Sequence, residues 1–230
     1  MTMDITAPAP AAWLAKDTTA GQTPSDGLMP SQDSTIKSQE LYTSKSLGDL
    51  AFTLLVDKVS YRDRTKPKGA EMGVIRNRLA QPEACVTVDV TGLEEFVRNG
   101  HTIMPAICQG GTKKENWQSQ QLFFLDFDND ATLSERGLEM LEPLDAVQRA
   151  FDKCLDPLLL YFTHSATVKP YLPRYRMVFA LSEPSSDMAY VGQVGNALLS
   201  VFPEADTASI RPTQMFLSPG KEVWPCWTML

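Results

Sequence analysis

The chain has 230 residues, 43% hydrophobic and 21% charged, enough for one large domain or one domain with tails. Its 21 Lys and Arg stand against 28 Asp and Glu. A net charge of −7 excludes a protein that coats nucleic acid by bulk charge, though not one with a local basic groove. Cys85, Cys108, Cys154 and Cys226 are far apart, never form CxxC, and have only two histidines beside them, which argues against a zinc finger or ribbon. Lone cysteines of this kind suit a reducing, cytoplasmic setting. No apolar run approaches the ~20 residues of a membrane span, and MTMDITAPAPAAW lacks the basic-then-apolar order of a signal peptide.

Residues 1–45, rich in Ser, Thr, Pro, Ala and Gln, have no sustained apolar period, which predicts a disordered arm ahead of a domain at 46–230. SLGDLAFTLLVDK (46–58) has Ser46 and Asp49 in capping-box spacing and Leu50, Leu54 and Leu55 on one helical face, which predicts a helix. A basic stretch follows, with seven Lys or Arg against two acids between Lys58 and Arg78. It reads equally as a solvated loop or a nucleic-acid contact. TGLEEFVRNG predicts a short helix with Thr91 as N-cap, Glu94 at the third position and Gly100 just past its end. QLFFLDF (121–127) reads as a strand, PLDAVQRAFDKCL (143–155) as an amphipathic helix, and LLLYFT (158–163) as a second strand. RYRMVFAL (174–181) is a third, alternating strand. A helix capped by Ser186 or Asp187 then runs to about Phe202, and QMFLS (214–218) is a fourth strand. The order β-α-β-β-α-β over residues 100–220 is the split βαβ of ferredoxin-like and RNA-recognition-motif-like (RRM-like) α+β folds, here with an N-terminal helical or stranded flank.

In the usual order 4-1-3-2 of that fold, the C-terminal ends of strands 1 and 2 lie beside the N-terminal ends of strands 3 and 4. The unusual polar residues sit at those places. Asp126 and Asp128 end strand 1, Thr163, His164 and Ser165 end strand 2, Arg174 and Arg176 open strand 3, and Asp206 precedes strand 4. Residues two apart on a strand share a face, so carboxylates and guanidinium groups are expected on one rim. Acid pairs on an apolar strand are costly to bury unless they are paired or bind a hard divalent cation. Two such cations serve phosphoryl transfer, and arginine forks suit the phosphates. The bland alternative is a strand end whose carboxylates are simply salt-bridged to the arginines of strand 3.

FFLDFDND, YFTHSATVKPYLPRYRMVFALSEP and FPEADTASIRPTQMFLSPG resemble, in order and spacing, the three motifs of the archaeo-eukaryotic primase superfamily. The nearest type is the primase-polymerase domain of plasmid and phage replication proteins, and KKENWQSQQ fits it too. The resemblance implies a DNA primase-polymerase carrying out two-metal nucleotidyl transfer from NTPs or dNTPs to a 3′-hydroxyl on single-stranded DNA. It makes Asp126, Asp128 and Asp206 ligands of Mg²⁺ or Mn²⁺. It carries nucleotide-phosphate binding onto His164, Ser165, Arg174 and Arg176, with Lys113, Lys114 and the 58–78 segment for the template. The chain departs from the family where PRYR stands in place of a histidine motif, putting Arg176 at the nucleotide-binding histidine's position, and at Gln214, where Arg211 is the substitute for a missing arginine. A helicase, on the same chain or separate, is the implied partner. Asp126→Ala and Asp128→Ala are both expected to abolish synthesis and leave the fold intact.

Three other readings are weighed. A haloacid-dehalogenase phosphatase would carry DxDGT, but Asn129-Asp130 interrupts that pattern and no GDxxxD-like acidic pair follows. An EF-hand is excluded by Ala131 and Gly137 at its sixth and twelfth positions. A non-catalytic nucleic-acid-binding module on an RRM-like fold would expose Phe123, Phe127 and Phe179 for base stacking. Such a module has no use for the acids. Of the tryptophans, Trp13, Trp117, Trp224 and Trp227, none forms a motif.

Overall fold

In the computed structural model, residues 50–62, 64–167 and 172–226 are described. The arm expected at 1–45, and its boundary with the domain, lie outside them. The protein is mixed α/β, with two antiparallel sheets and five α-helices among the described residues. The first sheet contains β1 (Phe52–Ser60), β2 (Cys85–Val88), β3 (His101–Met104) and β8 (Phe216–Leu217), in the order β2-β1-β3-β8. The second contains β4 (Ala106–Cys108), β5 (Trp117–Phe127), β6 (Leu159–Phe162), β7 (Tyr175–Ser185) and β9 (Val223–Pro225), in the order β4-β5-β7-β6-β9. The helices are α1 (Ala70–Leu79), α2 (Val90–Arg98), α3 (Thr132–Glu135), α4 (Pro143–Asp152) and α5 (Met188–Val201). Among the described residues no helix is long and apolar enough to cross a membrane.

The segment 46–58 corrects the helix expected there. From Phe52 it is a strand flanked by β2 and β3, with Phe52, Leu54, Leu55 and Val56 all buried. A short apolar run buried on both faces has the same spacing in a strand as in a core helix, and here the long-range pairing decides. The cap of α2 also shifts. Asp89 accepts a hydrogen bond from the Gly92 amide at 2.8 Å, two residues before the expected Thr91. Gly100 does follow the helix, at φ 76°, and its carbonyl accepts from the Tyr61 amide at 2.7 Å.

In the second sheet β7 lies between β5 and β6, antiparallel to both, as the 1-3-2 part of the expected order requires. The fourth strand does not complete it. β8 pairs with β3 of the first sheet, Leu217 opposite Thr102 and Phe216 opposite Ile103. The outer edge of β5 is taken by β4, which precedes it by one short connection. A local antiparallel pairing closes a much shorter loop than a return from residue 214, so it wins that edge.

Strand alternation divides the second sheet into two faces. Phe123, Leu125, Phe127, Tyr175, Met177 and Phe179 join Ala146 and Ala150 of α4 and Val191 and Leu198 of α5 in one core. On the opposite face Leu122, Phe124, Leu159, Tyr161 and Val178 join Phe52, Leu54, Ile103 and Phe216 from the strands of the first sheet, with Phe216 stacked on Phe124 at 4.8 Å. From Tyr175 to Phe179 both faces of β7 are therefore buried, rather than one.

Candidate functional site

The C-terminal ends of β5 and β6 meet the N-terminal end of β7, and the polar residues gather there. Register places Asp126 opposite Arg176, and Arg176 opposite Tyr161, in one row on the face turned toward the first sheet. Arg176 is 8% exposed and Asp126 19%. The guanidinium donates through Nη2 to Asp126 Oδ2 at 2.9 Å and through Nη1 to the Leu217 carbonyl of β8 at 2.7 Å. It also lies 5.2 Å from the Phe216 ring centre and 5.8 Å from that of Tyr161. Arg176 is thus an internal tie between the two sheets, committed to protein partners, where the sequence offered it as a nucleotide contact.

One oxygen of the Asp126 carboxylate is held in this way. The other, Oδ1, is buried and has no hydrogen-bond partner among the described residues. A carboxylate oxygen left so is costly unless a cation or water meets it. Asp128 follows beyond the end of β5, 45% exposed, accepting from Arg174 Nη1 through Oδ1 at 3.3 Å. Burial pushes the Asp128 carboxyl above its ordinary value, and the nearby Asp126 charge adds to the rise against the opposing pull of Arg174. Arg174 reaches Asp130 as well, at 3.8 Å.

Asp206 comes to the same rim by its backbone. Its amide donates to the Asp126 carbonyl at 2.8 Å, while its carboxylate accepts from the Ala208 amide at 2.9 Å and caps the 3-10 turn Thr207–Ile210. Beside it Asp128, Asp130, Glu204 and Asp206, with Arg136, line a cleft of about 210 Å³. Among the described residues no three His, Cys, Asp or Glu side chains form a metal-binding group. The pair Asp126 and Asp128 still suits Mg²⁺ or Mn²⁺, since such ions are often held by one or two carboxylates, with water and substrate phosphate completing the shell.

On the β6 side, the Thr163 amide donates to the Arg174 carbonyl at 2.9 Å, and His164 and Ser165 open the 3-10 turn His164–Thr167. Burial, then the charges of Lys221, Arg176 and Lys66, push the His164 imidazole down to about 4, so it is neutral at pH 7. Lys66 of the basic segment and Lys221 therefore stand near His164. Lys221 escaped the sequence reading, because a single lysine after a Pro-Gly turn carries no motif. Arg78, by contrast, is consumed internally: it binds Asp57 at 2.7 and 2.6 Å and the Tyr61 hydroxyl at 2.8 Å, fastening α1 to β1. Lys113 and Lys114 are not brought to the site. They precede β5, whose length of about 30 Å separates them from Asp126.

A second residue that the sequence reading passed over is Asn129. It is buried, with φ 44°, and its amide donates to the Leu141 carbonyl at 3.0 Å and the Pro173 carbonyl at 2.7 Å. Its Oδ1 accepts from the Leu141 amide at 3.2 Å. The signal available was an asparagine, tolerant of left-handed backbone, between two aspartates where a strand ends.

No family model matches the chain, and no curated protein matches it in sequence. Among solved structures, the AEP domain of the primase-polymerase (PrimPol) of cyanophage S-2L is similar at 10% identity and a TM-score of 0.33, over 77% of this chain and 80% of that one. Likeness that low establishes neither fold nor activity.

Proposed function

We propose that this protein is a nucleotidyltransferase of the primase-polymerase kind, adding nucleotides to a 3′-hydroxyl on single-stranded DNA. The observation that carries the reading is the Asp126 carboxylate, tied through Oδ2 to buried Arg176 while its Oδ1 has no hydrogen-bond partner among the described residues, with Asp128 close by. The motif order described from the sequence supplies the nucleotide as substrate. Asp126 and Asp128 would hold Mg²⁺ or Mn²⁺, which when bound offsets charge on the phosphates during transfer. Arg174, less buried than Arg176 and paired with Asp128 and Asp130, would be the arginine to reach a phosphate, which its fork suits. Lys66, Lys221 and neutral His164 form the positive side of the site; His164 acts there as a hydrogen-bonding group rather than a charge. Ser165, on the same turn, faces the same duty. Asp206 fixes the Asp126 backbone and borders the acidic cleft, a supporting place in this arrangement. Arg62, Arg64 and Lys68, on the segment that carries Lys66, are the template contacts in this reading, and that contact would be salt-sensitive and sequence-tolerant.

The ion pairs favour a second reading, a non-catalytic nucleic-acid-binding module in which Asp126–Arg176 and Asp128–Arg174 only close the rim. The aromatics it would stack on bases are not on the surface. Phe123, Phe127 and Phe179 are buried in the helix-covered core, Phe127 stacked on Tyr175 at 4.6 Å. The test is nucleotide incorporation on single-stranded DNA, with and without primer, in Mg²⁺ or Mn²⁺, beside Asp128→Asn. Loss of roughly a thousandfold in the variant, several kcal/mol of barrier, is expected. DNA binding without incorporation by the wild type, or full activity in Asp128→Asn, overturns the enzyme reading.

A further inference from the structure

Asn129 holds three pieces of chain with one side chain. It stands at the exit of β5, it grips both backbone groups of Leu141 ahead of α4, and it grips the Pro173 carbonyl ahead of β7. The Tyr175 hydroxyl donates to the same Leu141 carbonyl at 3.0 Å, so the grip is shared with β7 itself. Asn129 is one residue from Asp128, and Pro173 is one residue from Arg174. The Asn129 amide therefore fixes, through the backbone, both members of the Asp128–Arg174 pair. The left-handed turn at Asn129 has a further result: Asp128 and Asp130, on either side of it, reach the two ends of the one Arg174 guanidinium, Nη1 at 3.3 Å and Nη2 at 3.8 Å. An aspartate in place of Asn129 would set a carboxylate against two carbonyl oxygens, and glycine would keep the turn but release all three segments.

We propose that Asn129 is the positioning residue of the site, setting where the Asp128 carboxylate stands relative to Arg174 and Asp126. The inference rests on the nucleotidyltransferase reading for its consequence in catalysis, but its geometric content stands apart. A buried amide with no such duty would contribute stability alone. One that places Asp128 also controls how tightly a divalent cation is held and how fast the bound substrate reacts, while nucleotide binding by the His164 side is left nearly as it was.

The experiment uses the full chain and four proteins: wild type, Asn129→Gly, Asn129→Asp, and Leu93→Ala as a core truncation in α2 outside the site. Thermal midpoint, Mn²⁺ affinity by electron paramagnetic resonance, the NMR signals of the Arg174 guanidinium, and kcat and KM for incorporation are measured on each. Asn129→Gly is expected to weaken Mn²⁺ binding about tenfold or more. It should lower kcat by about ten- to a hundredfold with KM within about twofold, and speed rotation of the Arg174 guanidinium. Leu93→Ala should lose comparable stability without these changes. Unchanged Mn²⁺ affinity and Arg174 dynamics in both Asn129 variants overturn the proposal, as does an equal fall in Leu93→Ala. Should the wild type incorporate no nucleotide, the enzyme reading fails, and Mn²⁺ affinity with Arg174 dynamics still decides the role of Asn129. If Asn129→Asp does not fold, Asn129→Gly carries the comparison.

Discussion

Removing the Asp126 carboxylate should damage the fold as well as the chemistry. In Asp126→Ala the Arg176 guanidinium loses its carboxylate partner at 2.9 Å, yet the Leu217 carbonyl, Tyr161 and the Phe216 ring keep it in place at 8% exposure. The charge is stranded rather than released to water. Breaking a buried pair costs about 3–5 kcal/mol, and the 19% exposure of Asp126 lets some water in, which puts the expected loss near the lower end. Asp128, 45% exposed, should cost at most about 1 kcal/mol when truncated. With a urea slope of about 2 kcal/mol/M, the midpoint falls by about 1.5 M for Asp126→Ala and by less than about 0.5 M for Asp128→Ala. Asp126→Asn, which keeps an acceptor oxygen, should lie between. A double-mutant cycle with Arg176→Met should show a coupling of about 2 kcal/mol. Equal midpoints for the two alanine variants, or a coupling below about 0.5 kcal/mol, would refute the reasoning. On this reasoning the expectation that both alanine variants keep their fold is the safer one for Asp128→Ala and the more exposed one for Asp126→Ala.

Other outcomes are open to measurement. His164, with its imidazole pushed down from 6.5 to about 4, contributes stability that is complete above pH 6.5 and lost as the pH falls from there toward 4. The thermal midpoint of His164→Gln should accordingly decline less than that of the wild type across that window, and parallel curves would contradict the assignment. Gly100→Ala puts a Cβ 2.4 Å from the Arg62 amide nitrogen at φ 76°, so it should destabilise by about 1–3 kcal/mol from the backbone conformation alone, with the collision added, as read by urea unfolding. Lys66→Ala and Lys221→Ala should raise the nucleotide KM several-fold, about 1 kcal/mol each, whereas Lys113→Ala with Lys114→Ala should leave it unchanged. A reversed ranking in a steady-state incorporation assay would place the phosphate side elsewhere.

Much of the second sheet was legible. The strands holding Leu125, Leu160 and Met177, and the helices holding Val147 and Leu198, have apolar spacings long enough to identify their type, and the convergence of Asp126, Arg174 and Arg176 follows from which strands run parallel. What escaped depends on partners distant in sequence. Phe52 to Val56 is apolar on both faces, so only its pairing with β2 and β3 makes it a strand. Phe216 and Leu217 read as a fourth strand of one sheet, but edge availability sent them to the other. Arg176 and Arg174 look alike two residues apart, and only their partners show that one ties the two sheets together while the other pairs with Asp128 and Asp130 on the rim. Asn129 shows in sequence only as an asparagine between two aspartates at a strand end, because the backbone groups of Leu141 and Pro173 that it binds leave no mark on residue type.

The tie between Arg176 and the Leu217 carbonyl bears on when the site comes into being. Translation delivers β5, β6 and β7 early, and they can pair with one another as they emerge. Arg176 lacks its main-chain acceptor until β8 has appeared and found β3, a pairing of high sequence separation and hence slow to form. A nascent chain halted before residue 217 carries every acid of the rim and the Arg176–Asp126 pair, but its Arg176 lacks the Leu217 carbonyl that ties it to the first sheet. Under the proposed function, prematurely terminated products should therefore hold the Arg176–Asp126 pair more loosely than the finished chain does.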